Sequence, residues 1–510
     1  MTTHDVEIAI VGAGFSGLGA AIKLAQRGID DYVILDRGSD FGGTWRDNTY
    51  PGAACDVASN LYSYSFAPNP EWSRSYSHQP EIHRYINAVA DEHGVRAKAR
   101  FGTEVTEARW DEDTAHWIVS TVTDGAENTY RARHLVGAVG PLCEPNLPDI
   151  EGIDSFGGTI MHSARWDDSV DFGGKRVAVI GTGASAIQIV PELAKVAGHL
   201  DVYQRTAPWI VPRTERPYTP IEHWAFTHLP AVQTASRAGI YTFNEFIAFG
   251  MTYSPKALKP VEMLARANIF RGIRDPQLRK AVTPDFQIGC KRILRSNTWY
   301  PALDRANVDL VTDPITRVTE TGIVTADGAA HDIDILVVAT GFHVTDSPVF
   351  SHIVGVGGRS LANVWDEIGM QGYKGSFVHG FPNMMLMIGP STGLGHTSMV
   401  YMIESQLNYL VDYIATVRAR GATRVEVTEA AQRRYNAGIA HKLRNSVWVN
   451  GGCASWYKDV HGNITTLWPG FTFDFRRETR KFDVAAYDIS HAASTVPAQL
   501  TSAPTAGVGA

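Results

Sequence analysis

A strand that runs into Gly-x-Gly-x-x-Gly and then into a helix restricts what a chain can become, and this sequence contains that unit twice. Residues 6–11 (Val-Glu-Ile-Ala-Ile-Val) read as a buried strand, Gly12-Ala13-Gly14-Phe15-Ser16-Gly17 as the turn, and 15–27 as a helix. A second strand, 31–35, ends at Asp36, 24 residues after Gly12. The turn needs glycines so that the chain can reverse sharply, admit a pyrophosphate against the backbone and pack the helix on the sheet. The helix N-terminus then offers its partial positive charge to the phosphates. A carboxylate ending the second strand is placed to accept from ribose hydroxyls. The unit recurs as Gly181-Thr182-Gly183-Ala184-Ser185-Ala186 behind the strand 177–180, and the next strand, 201–204, ends in Arg205-Thr206. An Arg and a hydroxyl suit a 2′-phosphate, which a carboxylate would repel. One acid-ended and one Arg-ended site point to FAD and NADPH, bound in two Rossmann-like domains of an α/β fold.

The remaining composition narrows the class. With 46 Lys+Arg against 53 Asp+Glu, the net charge of −7 argues against nucleic acid, since gripping phosphates needs a basic surplus. Apolar residues at 44% in 510 residues are enough for several buried cores and too many for a disordered chain. No apolar run approaches the length of a membrane span, and Asp5 and Glu7 stand where a signal peptide would be basic. Cys55, Cys143, Cys290 and Cys453 form no CxxC pair, which suggests neither a disulfide framework nor a zinc site. The expectation is a cytoplasmic enzyme without a metal, monomeric or a small homo-oligomer.

Between residues 212 and 285 strand texture gives way to helical stretches, 222–249 and 259–280, punctuated by Pro217, Pro220, Pro230 and Pro255. The predicted organisation is an FAD-binding part at 1–141, an NADP-binding part at 142–211 and a helical insertion at 212–285. The NADP domain then resumes at 286–348 and the FAD domain at 349–485. A tail rich in Ala, Ser, Thr and Pro, 486–510, is expected to be disordered.

Three further segments identify the pair's use. Phe156-Gly157-Gly158-Thr159-Ile160-Met161-His162-Ser163-Ala164-Arg165-Trp166-Asp167 closely resembles the FxGxxxHxxxW(P/D) fingerprint of type I Baeyer–Villiger monooxygenases. Residues 42–56, from Gly42-Gly43-Thr44-Trp45 through Tyr50-Pro51-Gly52 to Asp56, resemble that family's GGxWxxxxYPGxxxD signature. Val337-Val338-Ala339-Thr340-Gly341-Phe342 is similar to the ATG motif by which two-dinucleotide flavoproteins return to the FAD domain. The resemblance implies insertion of one oxygen atom next to a ketone carbonyl, through a C4a-peroxyflavin formed from FAD, NADPH and O2.

The same resemblance implies the site. Gly12, Gly14, Ser16, Gly17, Asp36, Thr44, Trp45, Asp47, Asp56, Tyr62 and Val105 would hold FAD. Thr182, Gly183, Ala184, Ser185, Ala186, Arg205, Thr206, Lys291 and Trp456 would hold NADP. Arg292 would face the flavin and steady its oxyanions, with Asp56 as its partner, because a guanidinium stays protonated and can fork two donors. By spacing alone, Lys291-Arg292 reads as a solvated surface pair and His162 as a satisfied loop histidine. The rivals are a flavin monooxygenase acting on nitrogen or sulfur, and a non-oxygenating reductase. A disulfide reductase would need a CxxxxC pair, and Cys55 has no such partner.

Overall fold

The computed structural model describes residues 2–459 and 461–491. Its frame is two sheets. The smaller is wholly parallel, in the order Val308–Val311, His199–Tyr203, Arg176–Ile180, Ile335–Val338, Thr159–His162. Covered on both faces, such strands read as unbroken apolar runs, and Ile335–Val338 is buried at every position. The larger sheet centres on Thr2–Val11, flanked in parallel by Tyr32–Leu35 on one side and Ala126–Gly137 on the other. An antiparallel meander, Thr103–Asp111 with His116–Thr123, extends it, and Met384–Leu386 pairs with the end of Ala126–Gly137.

Both glycine units form as the sequence dictates: Phe15–Ala25 and Ala186–Leu193 are the helices that follow them. Gly17 shows why the glycines are needed, since a Cβ there would lie 1.8 Å from the Gly12 carbonyl oxygen. Each turn therefore sits at the C-terminal edge of its sheet, where ligands of doubly wound sheets bind. The fold is α/β with two Rossmann-like domains and a helical insertion.

Two linkers run side by side between the sheets. Pro145 bridges to Phe342, Asn146 donates its N–H to the Gly341 carbonyl at 2.9 Å, and His343 donates to that of Glu144 at 2.9 Å. The insertion is helical as expected, with its prolines setting the breaks. The predicted helix 222–249 is two helices, Pro220–His228 and Pro230–Thr252, because Pro230 starts a new helix after non-helical Leu229. Thr219 caps the first through a reciprocal capping box with Glu222.

Two expectations are corrected. Cys290 and Cys453 form a disulfide across 163 residues of sequence, with Cα atoms 6.1 Å apart, leaving Cys55 and Cys143 free. Spacing rules detect local pairs, whereas this one is made by tertiary folding. The expected tail begins too early: Tyr487–Ser490 is a strand paired antiparallel with Arg424–Val427. Its alternation places Tyr487 in the core, a cue that the small polar residues around it obscure. The remainder of the predicted tail, 492–510, lies outside the described residues. No helix among the described residues is long and apolar enough to cross a membrane.

Candidate active site

The first glycine turn and the second signature come together. Gly14 faces Gly43, where an added Cβ would find the Gly43 Cα at 3.7 Å, so two backbones without side chains border the space beside the first helix. That helix has no side-chain cap at Gly14, leaving its first N–H groups for an anion. Ser16 and Gly17 are buried in the first turn. Asp36 sits buried at the strand end, its carboxylate accepting from the Ala13 N–H at 2.7 Å, the Gly38 N–H at 2.7 Å and Arg46 at 2.8 Å. Arg46 also pairs with Asp47 at 2.7 Å. Thr44 is exposed at the start of the short helix Thr44–Asp47. Trp45 donates its indole N–H to the Tyr62 hydroxyl at 3.0 Å. Val105 is half-buried on a strand whose Thr103 N–H donates to the Asp36 carbonyl at 3.0 Å. These residues fit a flavin dinucleotide: uncapped helix N–H groups, side-chain-free backbone and a fixed carboxylate.

At the second turn Gly183 and Ala184 are exposed, and nothing lies within 4 Å of a Cβ added at Gly183. Ser185 precedes a helix with no side-chain cap, and Ala186 is buried beneath it. Thr182 donates its hydroxyl to the Thr206 carbonyl at 3.1 Å, tying the turn to Arg205-Thr206. Lys291 lies near exposed Arg205; burial and then the Arg205 charge hold the Lys291 ammonium below its ordinary pKa. Asp285 offsets part of that effect, and two cations kept this close fit a doubly charged anion such as a 2′-phosphate. Lys291 also stands over the Phe286 ring at 5.2 Å.

Between the two turns, Arg292 Nε and Nη2 each donate to a different Asp56 oxygen at 2.8 Å, a bidentate pair. The two side chains are sunk in the cleft yet keep 32% and 26% of their surfaces open to it. Burial would raise the Asp56 pKa, but Arg292, reinforced by Arg295 and Arg213, holds it below the ordinary carboxylate value. Asp56 in turn raises that of Arg292. Among the described residues Arg292 Nη1 has one long contact, 3.4 Å to the Leu394 carbonyl, which leaves it as the donor open to a ligand.

Sequence reasoning missed three contributors. Tyr457 is buried, its hydroxyl is unpartnered among the described residues, and burial pushes its pKa up to about 12, with Arg292 pulling the other way. It neighbours Trp456, which the resemblance assigns to NADP; Trp456 itself is exposed, with its ring centroid 4.5 Å from that of Tyr457. Gln188, on the second glycine helix, accepts from the Tyr50 hydroxyl at 3.1 Å and donates to the Ala54 carbonyl at 3.0 Å, joining the two domains. Arg213 donates to the Cys55 carbonyl at 3.0 Å, beside Asp56. No local pattern marks Gln188 or Arg213; both act across a boundary that only the fold creates. His162 is buried beside the linkers, its ring 5.8 Å from that of Phe342, with Nδ1 accepting from the Ala164 N–H at 3.0 Å. Trp166 stacks on Phe172 at 5.4 Å as packing.

Two glycine turns around a half-buried arginine–carboxylate pair fit a flavoprotein monooxygenase of the two-domain type. Residues 5–230 match the flavin-binding monooxygenase-like family. The sequence is 46% identical to a Baeyer–Villiger monooxygenase of Streptomyces coelicolor, over 98% of this chain and 94% of that protein. It is 45% identical to a Baeyer–Villiger monooxygenase of Pseudomonas aeruginosa, over 95% and 91%. Among solved structures, cyclohexanone monooxygenase from Rhodococcus sp. Phi1 bound to NADP+ superposes with a TM-score of 0.84 at 29% identity, covering 96% of this chain and all of that one. The chain belongs to the Baeyer–Villiger monooxygenase family, and it is an FAD- and NADPH-dependent enzyme.

Proposed function

We propose that this enzyme inserts one atom of O2 beside a ketone carbonyl, giving an ester or lactone, and that Arg292 is the residue on which the insertion depends. The observation that carries the reading is the bidentate Arg292–Asp56 pair, which leaves one guanidinium edge open in the cleft between the two glycine turns. When bound, FAD supplies oxygen activation and NADPH the hydride. The chain's own residues bind, orient and stabilise. Arg205 and Lys291 select the phosphorylated nucleotide. Asp56 fixes the Arg292 plane and keeps it charged, and Arg292 Nη1 faces whatever oxyanion forms there, a donor set in place before the reaction. Tyr457, protonated at neutral pH, is a second donor on the same side.

In this reading residues 1–141 with 349–485 form the FAD unit, 142–211 with 286–348 the NADP unit, and 212–285 the insertion. The enzyme is placed in the cytoplasm, acting as a monomer or small homo-oligomer on a ketone.

The test is Arg292→Ala with FAD loaded. Reduction by NADPH is expected to stay within a few-fold, while ester formation from a panel of cyclic, linear and aryl ketones falls by about 10²-fold or more, as for loss of an oxyanion donor. Undiminished ester formation would remove Arg292 from the role. Absence of ester from every ketone in the wild type, with sulfoxide or N-oxide formed instead, would favour the nitrogen- or sulfur-oxidising reading.

A further inference from the structure

Cys290 and Cys453 join the two segments that carry the nucleotide-side residues. Cys290 immediately precedes Lys291-Arg292, and Cys453 lies three residues before Trp456 and four before Tyr457. Gly451 packs directly on the bridge: a Cβ added there would meet Cys290 Cβ at 2.7 Å. One backbone hydrogen bond, from the Gln287 N–H to the Gly451 carbonyl at 3.0 Å, supports the junction. Past it the segment is thinly held. Among the described residues, the hydrogen bonds to Ser455 come from the Tyr457 and Lys458 N–H groups next to it, so 452–456 is tied to the Arg292 loop chiefly by the disulfide, whereas Tyr457 beyond it is buried in the core and its carbonyl accepts from the Thr465 N–H at 3.3 Å.

The chemistry of the site bears on that tie. A disulfide is unusual in a reducing compartment, where such bonds are mostly redox-responsive. An oxygen-activating flavoenzyme also carries an oxidant of its own, because oxygen reduced but not inserted leaves as hydrogen peroxide.

Resting on the site assignment above, we propose that Cys290–Cys453 is a redox-set positioning crosslink for the nucleotide side of the active site. Peroxide released inside the cleft closes it, and cellular thiols reopen it. Cys453, the more accessible of the two at 9% exposure against 1%, reacts first: its thiolate attacks peroxide to give a sulfenic acid and one water. The Cys290 thiol then displaces the hydroxyl as a second water. Two thiols lose two electrons and two protons, and one H2O2 becomes two H2O. Closed, the crosslink holds 452–456, with exposed Trp456, against the Lys291-Arg292 loop and retains NADP+. Open, 452–456 loosens while Tyr457 stays in the core, NADP+ leaves faster and more oxygen is wasted. Poor coupling thus corrects itself.

The experiment uses FAD-loaded enzyme, reduced with a phosphine and then titrated with H2O2. It reads the Cys290–Cys453 linked peptide by mass spectrometry, NADP+ affinity by binding titration, and the fraction of consumed NADPH recovered as H2O2. Closure is expected to tighten NADP+ about fivefold or more, within the range of ordinary site–site couplings, and to lower the peroxide fraction. Cys453→Ser should behave as the open form at every peroxide dose, while Cys143→Ser keeps the full response. A crosslink that merely stabilises the fold would shift the melting temperature and leave NADP+ affinity unmoved; that result overturns the proposal. So does a linked peptide that never forms at any dose. Either failure leaves the Arg292→Ala result intact, so the two readings stand or fall separately.

Discussion

Asp56 and Arg292 lie 236 residues apart, and their pair is the point where distant sequence becomes chemistry. Asp56→Asn keeps the shape but gives up the charge that fixes the guanidinium. Ester formation should drop roughly 10–10²-fold with flavin reduction little changed, measured by single-turnover reduction beside product analysis. Arg205 makes a separable prediction. Arg205→Ala should raise KM for NADPH roughly tenfold or more, leave kcat nearly alone and narrow the preference over NADH, because it removes a charge-assisted contact outside the reaction. Equal effects on both nucleotides would move the 2′-phosphate away from Arg205.

Among the elements, the second-signature loop and the second glycine helix are fitted to one another. Gly52 has φ +82°, and a Cβ there would come within 2.7 Å of the Gln188 carbonyl oxygen, so both conformation and contact demand glycine. Gly52→Ala should cost about 1–3 kcal/mol in unfolding free energy. It should also slow flavin reduction, since it pushes the two nucleotide sites apart; a variant with unchanged melting and reduction would contradict this. Here the limits of sequence reading show themselves. The glycine turns and the strand ends at Asp36 and Arg205-Thr206 were legible because their local structure depends on neighbours close in the chain. Asp56 and Arg292 were legible only through a family signature, since spacing alone gives a turn acid and a surface pair. Gln188, Arg213, Tyr457 and the disulfide were invisible, because each acts on a residue that folding alone brings near. Pro230 could have been read better: a proline inside a 28-residue helical stretch is a helix start as readily as a kink.

For the whole molecule, pH sensitivity follows from buried histidine. His134 is 1% exposed, with Nδ1 2.8 Å from the Tyr413 hydroxyl, and burial pulls its pKa down to about 3. The folded protein therefore refuses a proton that the unfolded chain accepts below about pH 6.5. Stability from this group is complete above that pH and declines as pH falls, by about 2 kcal/mol at pH 5. Urea unfolding at pH 7 and 5 should show the loss, and His134→Gln should flatten it; an unchanged slope in the variant would place the sensitivity elsewhere. Asp56, with its depressed pKa, acts in a lower window, its contribution present above its unfolded value and lost in stronger acid.

The paired linkers at 145–146 and 341–343 also govern the order in which the molecule can be born. The parallel five-stranded sheet is built entirely from residues 159–338, so it can close while the ribosome is still working. Its larger companion is finished later, since the end of Ala126–Gly137 meets Met384–Leu386 and Thr103–Asp111 meets Ile353–Val354 only once the chain has passed residue 338. The final antiparallel pair waits longer, until Tyr487–Ser490 has emerged. Residues 135–137 and 108–109 of the flavin sheet thus leave the exit tunnel without their partners, and a nascent protein of this design leans on chaperones over that interval.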